Sequence, residues 1–144
     1  MNRNRILVAA LVTLFFAITI FVANQAALDA QSCRIIRLHG EANPTGPTVR
    51  IEPNSLLVPK GTCVIWSNWI RAQEVKIVFD DGKKCEDVTD AATGFKLDAE
   101  NCYVASFVSQ GGTSSLRFTE EGRFKYTVTA DDTVKKEGEI VVKK

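Results

Sequence analysis

Few residues of this chain carry redox or metal chemistry: four cysteines (Cys33, Cys63, Cys85 and Cys102), one histidine (His39) and one methionine, Met1. Thiolates can pair, exchange disulfides or hold a soft metal. No two cysteines have the Cys-x-x-Cys spacing that lowers a thiol pKa, so a redox-active dithiol is not expected. An even count in an oxidising compartment favours two disulfides instead. Four thiols allow three pairings. Cys85 with Cys102 is the favoured pair, because these residues bracket the one irregular insertion, "CEDVTDAATGFKLDAENC". That leaves Cys33 with Cys63, tying the first strand to an inner one.

Other constellations have bland readings. His39-Gly40-Glu41 reads as a turn with one imidazole. Asp80-Asp81-Gly82 before Lys83-Lys84 reads as a hairpin turn, and adding Asp87 and Asp90 does not produce the alternating oxygen ligands of a calcium loop. A Ser-His-Asp site would have to use His39, which has no nucleophile motif nearby. Gly111-Gly112 leads into a strand, without the helix and lysine that a phosphate loop needs. The expectation is no catalytic residue, no resident metal, no cofactor and no enzyme activity.

The N-terminus sets the compartment. Arg3 and Arg5 precede an uncharged stretch over residues 6–23, eighteen residues long. This is the charged start and apolar core of an export signal, and it approaches the roughly 20 residues needed to span a bilayer. Residues 1–30 are therefore expected to be a signal peptide or a single-pass anchor with a short linker. Either way residues 31–144 lie outside the cytoplasm, in a periplasmic or extracellular space. Removing Arg3, Arg5 and Asp29 with the leader leaves 16 basic and 16 acidic residues of the original 18 and 17. A formally neutral domain without a long basic run is a poor partner for nucleic acid.

The rest of the chain has room for one domain. Short runs rich in Val, Ile, Phe, Tyr and Thr alternate with Gly, Pro, Asp and Asn, the rhythm of an all-β sandwich or barrel. Strands are expected over residues 33–38, 48–51, 55–58, 63–67, 74–79, 102–108, 114–118, 123–129 and 139–143. Alternation with period two gives the inner faces: Val64 and Trp66; Val75, Ile77 and Phe79; Leu116 and Phe118; Phe124, Tyr126 and Val128. Strands with one apolar face must pack against a second sheet. The segment 84–101 breaks the rhythm. It is expected to form a short helix and loop, having too few consecutive β-branched positions for a strand.

The order of motifs then matters. "VRIEPNSLLVPKGTCVIWSN" at 49–68 gives an apolar strand, a turn and Gly-x-x-Val-x-Trp-x-Asn. "AQEVKIVF" follows, then "SSLRFTEEGRFKYTV", and "KKEGEIVV" closes the chain. Over most of residues 48–143 this resembles a cupredoxin of the plastocyanin or azurin type. The resemblance implies a two-sheet Greek-key sandwich, and in many members a copper at the loop-rich end held by two His, one Cys and a weak axial Met. Gln73 stands at the first His, Val128 at the Cys, Asp131 at the second His and Lys136 at the Met. One His and a leader Met in the whole chain cannot supply a type 1 centre. A binuclear relative would need paired Cys in the closing loop, and no Cys follows residue 102.

Val128 is expected to fill the space of the thiolate and metal, while Asp131 and Lys136 form a solvated turn. Trp69, Ile70 and Arg71 are candidates for a partner surface at the loop end. Trp69 folded back over the vacant metal position is preferred to an exposed Trp69. The function expected is a non-enzymatic binding or structural module, an accessory part of a larger assembly with a protein partner, and with the membrane as a further partner if the leader is retained. The alternative is divergent copper binding or electron transfer by non-standard or partner-supplied ligands.

Overall fold

The computed structural model describes residues 33–43, 46–79, 85–99, 102–130 and 134–144. The leader 1–30 with its apolar stretch 6–23, the turn 80–84 and Asp131 lie outside the described residues. Among the described residues no helix is long and apolar enough to cross a membrane.

Two sheets face each other. One contains β1 (Arg34–His39), β4 (Arg50–Glu52), β6 (Cys63–Asn68), β8 (Thr89–Thr93) and β11 (Thr113–Phe118), in the order β4-β1-β6-β11-β8. The other contains β5 (Ser55–Pro59), β7 (Val75–Val78), β9 (Lys96–Leu97), β10 (Tyr103–Val108), β12 (Gly122–Ala130) and β13 (Val134–Lys143), in the order β5-β13-β12-β7-β10-β9. A small ribbon, β2 (Ala42–Asn43) with β3 (Gly46–Pro47), lies in the β1–β4 connection. The chain crosses between sheets repeatedly, from β6 to β7 and from β10 to β11 to β12. β1 runs parallel to β6, and β5 parallel to β13. Around Pro53 the chain passes from β4 at the edge of one sheet to β5 at the edge of the other, so the two sheets share a corner.

The inner faces are those that alternation indicates. Val64, Trp66, Val75, Ile77, Phe79, Leu116, Phe118, Phe124, Tyr126 and Val128 are all buried. Trp66 sits at the centre, edge-on to Phe79, Phe95 and Tyr126 with ring centroids 5.5–5.6 Å away. Such edge-to-face contacts bring the positive ring edge onto a negative ring face. Tyr126 pairs across strands with Gly138. A Cβ at residue 138 would run into the Tyr126 ring, so the close approach demands glycine.

Cys33 and Cys63 form a disulfide, with Cα atoms 4.4 Å apart. The parallel register places Arg34 beside Val64 and so brings the preceding residues together. Cys85 and Cys102 are both buried.

Two expectations are corrected. The insertion does open with a short helix, α1 (Cys85–Val88), but then forms β8, which pairs with β11 at the sheet edge. An edge strand needs backbone partners on one side only. This one is fixed by buried Thr89 and by a two-point ion pair from Arg117 to Asp90 at 2.6 and 3.1 Å. β13 also starts at Val134 rather than near Glu139. Its register with β12 continues to the pair Ala130–Val134, so most of the expected charged turn is strand.

Candidate functional site

The registers place at one end of the sandwich the connections 69–74 and 109–112, together with the ends of β1 and β12 and the starts of β4 and β13. Asn68, fully buried at the end of β6, ties the connections 69–74 and 109–112 to the end of β10. Its Oδ1 accepts from the Ile70 amide at 2.9 Å, and its Nδ2 donates to the carbonyls of Gln73 at 2.9 Å and Val108 at 2.7 Å. Its own amide donates to Gly112 O at 3.0 Å, and its carbonyl accepts from the Gly111 amide at 2.7 Å. The Trp69 amide donates to Leu38 O at 2.8 Å, and the Ala72 amide to Gln110 Oε1 at 3.0 Å. One amide side chain thus ties the 69–74 connection to the end of β10, and the strand that ends in "WSN" positions it.

The positions expected to correspond to copper ligands do not form a donor set. Gln73 is half-buried in the 69–74 connection. Val128 is fully buried in β12, and one row nearer the loop end Val108, Val75 and Ala130 stand side by side in register, all buried. Aliphatic groups therefore occupy and cover this position. Lys136 is exposed within β13, directly opposite Val128, not in a loop. Asp131 lies outside the described residues. His39 ends β1 near this end, its Nε2 3.5 Å from a Glu52 carboxylate oxygen. All four cysteines lie toward the opposite end, beside the starts of β1, β6, α1 and β10. Among the described residues no three His, Cys, Asp or Glu are grouped to hold a metal. A copper centre needing soft sulfur and imidazole together does not fit this arrangement.

Behind the end row, Tyr126 Oη and Trp66 Nε1 are buried without a hydrogen bond of standard geometry. Burial pushes the Tyr126 phenol up to about 12, an effect that the nearby Trp66 N–H offsets in part. These groups belong to the core and face no opening.

The surface of the loop end differs from expectation at two residues. Trp69 is 59 % exposed and does not fold over the interior. It borders a shallow depression with His39, Glu41, Thr48 and Arg50. Ile70 is fully buried and is withdrawn from the partner surface, because its amide is held by Asn68 and its side chain joins the core. Arg71, two residues on, is exposed. A residue not anticipated is Phe107, 76 % exposed with φ of +58°. Simple alternation along β10 would turn 103, 105 and 107 inward. A shift of register between Ala105 and Val108 instead gives Val108 the inner place and turns Phe107 out.

Two facing sheets with this strand order carry the motifs "WSN", "EVKIVF" and "RFKYTV" on the strands that flank the loop end. The described residues form the two-sheet β-sandwich that the cupredoxin resemblance implies. The sequence, with one His and a leader Met, does not hold a type 1 copper ligand set. Solved structures similar to this chain include a mutant of amicyanin with Cu(I), at 19 % identity over 77 % of this chain and 82 % of that one, with TM-score 0.48. An oxidised mutant of amicyanin has the same identity and coverages and TM-score 0.49. A reduced Cu(I) form of another mutant at pH 4 has 18 % identity over 78 % and 84 % of the two chains, with TM-score 0.48. No protein-family model and no curated protein matches the chain.

Proposed function

We propose that this is an exported, non-enzymatic binding module whose loop end docks a protein partner as an accessory part of a larger assembly. Exposure of Trp69 at an end where the expected thiolate position is filled by buried Val128 carries the reading. An exposed aromatic two residues before exposed Arg71 is the kind of anchor enriched in protein interfaces, and the hydrogen bonds of Asn68 hold its loop in place before binding. Export is supported by the charged and apolar leader and by the Cys33–Cys63 disulfide, which suits an oxidising space. The copper of the amicyanin structures is not carried over, since the donors for it are absent from the sequence.

The test is purification of the full chain from its native membrane or export compartment under mild conditions, with wild type and Trp69→Ala compared. A stoichiometric companion that is lost from Trp69→Ala supports docking. A chain that travels alone, or a companion retained equally by both, overturns it.

A further inference from the structure

We infer that Phe107 is a preorganised recognition anchor for a protein partner that presents an apolar pocket rimmed by hydrogen-bonding groups; this rests on the docking role of the loop end. The observation behind it is a doubly unfavourable placement. A bulky residue at φ of +58° is a backbone outlier, and a ring left 76 % exposed gains little from burial within this chain. Folding alone would favour glycine here, or another residue suited to a bulge with positive φ. Strain held at an exposed side chain points from the outlier to a use.

The mount is rigid. The next residue, Val108, is buried, and its carbonyl accepts from Asn68 Nδ2 at 2.7 Å. Beyond it, Ser109 O accepts from the Gly112 amide at 2.8 Å, and Gln110 Oε1 accepts from the Ala72 amide at 3.0 Å. Asn68 binds the 69–74 loop through Gln73 as well, so Trp69 and Phe107 are carried by one hydrogen-bonded unit. A ring whose backbone is already fixed loses little freedom on binding.

The surroundings select the class of partner. Phe107 rises beside a shallow depression lined by Gln73, Glu74, Lys76, Ser106 and Thr129. The exposed Glu74 and Lys76 beside the ring cancel in charge and so offer no net attraction to an anionic bilayer, whereas amide, hydroxyl and paired-sign charges suit the polar rim of a protein interface.

Two measurements test this on the full chain. Thermal unfolding of Phe107→Gly is expected to give a Tm at or above wild type, because the substitution relieves the backbone and removes no packed group; a clear fall would make the ring structural and overturn the inference. Next, p-benzoylphenylalanine is placed at 107, at 69, and at the comparably exposed controls Ile35 and Leu57 (52 % and 61 %). A discrete protein adduct at 107, absent from the controls, is expected to map to an apolar pocket of the partner. With that partner purified, Phe107→Gly is expected to weaken binding about thirtyfold, which is about 2 kcal/mol and hot-spot size, and Phe107→Tyr to restore most of it. Lipid adducts, equal adducts at all positions, or an unchanged affinity overturn the inference. Adducts from 69 but none from 107 remove this inference and leave docking by the loop end standing; none from either position removes both.

Discussion

Replacing Asn68 by alanine should cost the domain about 3–4 kcal/mol. The side chain makes three hydrogen bonds within 2.7–2.9 Å and is fully buried. Each such bond contributes about 1 kcal/mol net, and buried groups left without partners add a desolvation penalty. Here the orphans are the Val108 carbonyl and the amide of buried Ile70, with the half-buried Gln73 carbonyl better able to find water. For a domain of just over 100 residues, about 4 °C is lost per kcal/mol, so Tm should fall by roughly 12–16 °C. Chemical denaturation should show the same loss with an unchanged m-value. Asn68→Asp separates hydrogen bonding from cavity formation: it keeps an acceptor for Ile70 but cannot donate to two carbonyls at pH 7, so it should cost at least as much as alanine. Amide exchange should quicken first at Ile70 and Gly111. A loss below about 1 kcal/mol for Asn68→Ala, or tolerance of Asn68→Asp at neutral pH, would refute the claim that this residue holds the loop end together.

Three further perturbations bear on the scaffold. Gly138→Ala forces a methyl group into the Tyr126 ring and should cost about 1–3 kcal/mol as an overpacked core does, read from the denaturation midpoint; a neutral result would show that the strand can shift away. The Tyr126 phenol, raised to about 12 when folded, deprotonates more readily in the unfolded chain, so stability should be full below about pH 10 and fall by about 2–3 kcal/mol toward pH 12; Tyr126→Phe should fold normally at pH 7 and lose that part of the alkaline decline. All four thiols should be blocked in the native exported protein and titrate only after reduction under denaturing conditions, and replacing both Cys33 and Cys63 by serine should cost about 3–4 kcal/mol for a separation of 30 residues. Free thiols in the unreduced chain would contradict the pairing of Cys85 with Cys102 that the sequence leads us to expect.

The sandwich was largely legible because its strands alternate strictly. Val64 with Trp66, and Phe124 with Tyr126 and Val128, could occupy only an inner face, and the structure puts them there. Features set by backbone pairing were not legible. β8 has exposed alanines and no β-branched run, and exists because β11 offers it an edge and Arg117 a partner for Asp90. The length of the last hairpin depends on continued register between β12 and β13, which the polar residues of "TVKKEGE" do not announce. Phe107 was hidden by the same rule that served elsewhere: alternation assigns it inward, and only a bulge reverses it. Ile70 shows the converse, since a residue in a connection beside an exposed Trp looks like surface until Asn68 fixes its amide.

Metal loading of the purified full chain tests the central claim most directly. Incubated with Cu(II) and with Cu(I), then desalted, the protein should retain far less than one copper per chain, show no intense thiolate-to-copper absorption in the visible, and unfold at an unchanged temperature. A stoichiometric, coloured copper complex that raises Tm and is abolished by substitution at Gln73 or His39 would contradict the account of a loop end held by Asn68 and packed with Val128, Val75, Val108 and Ala130.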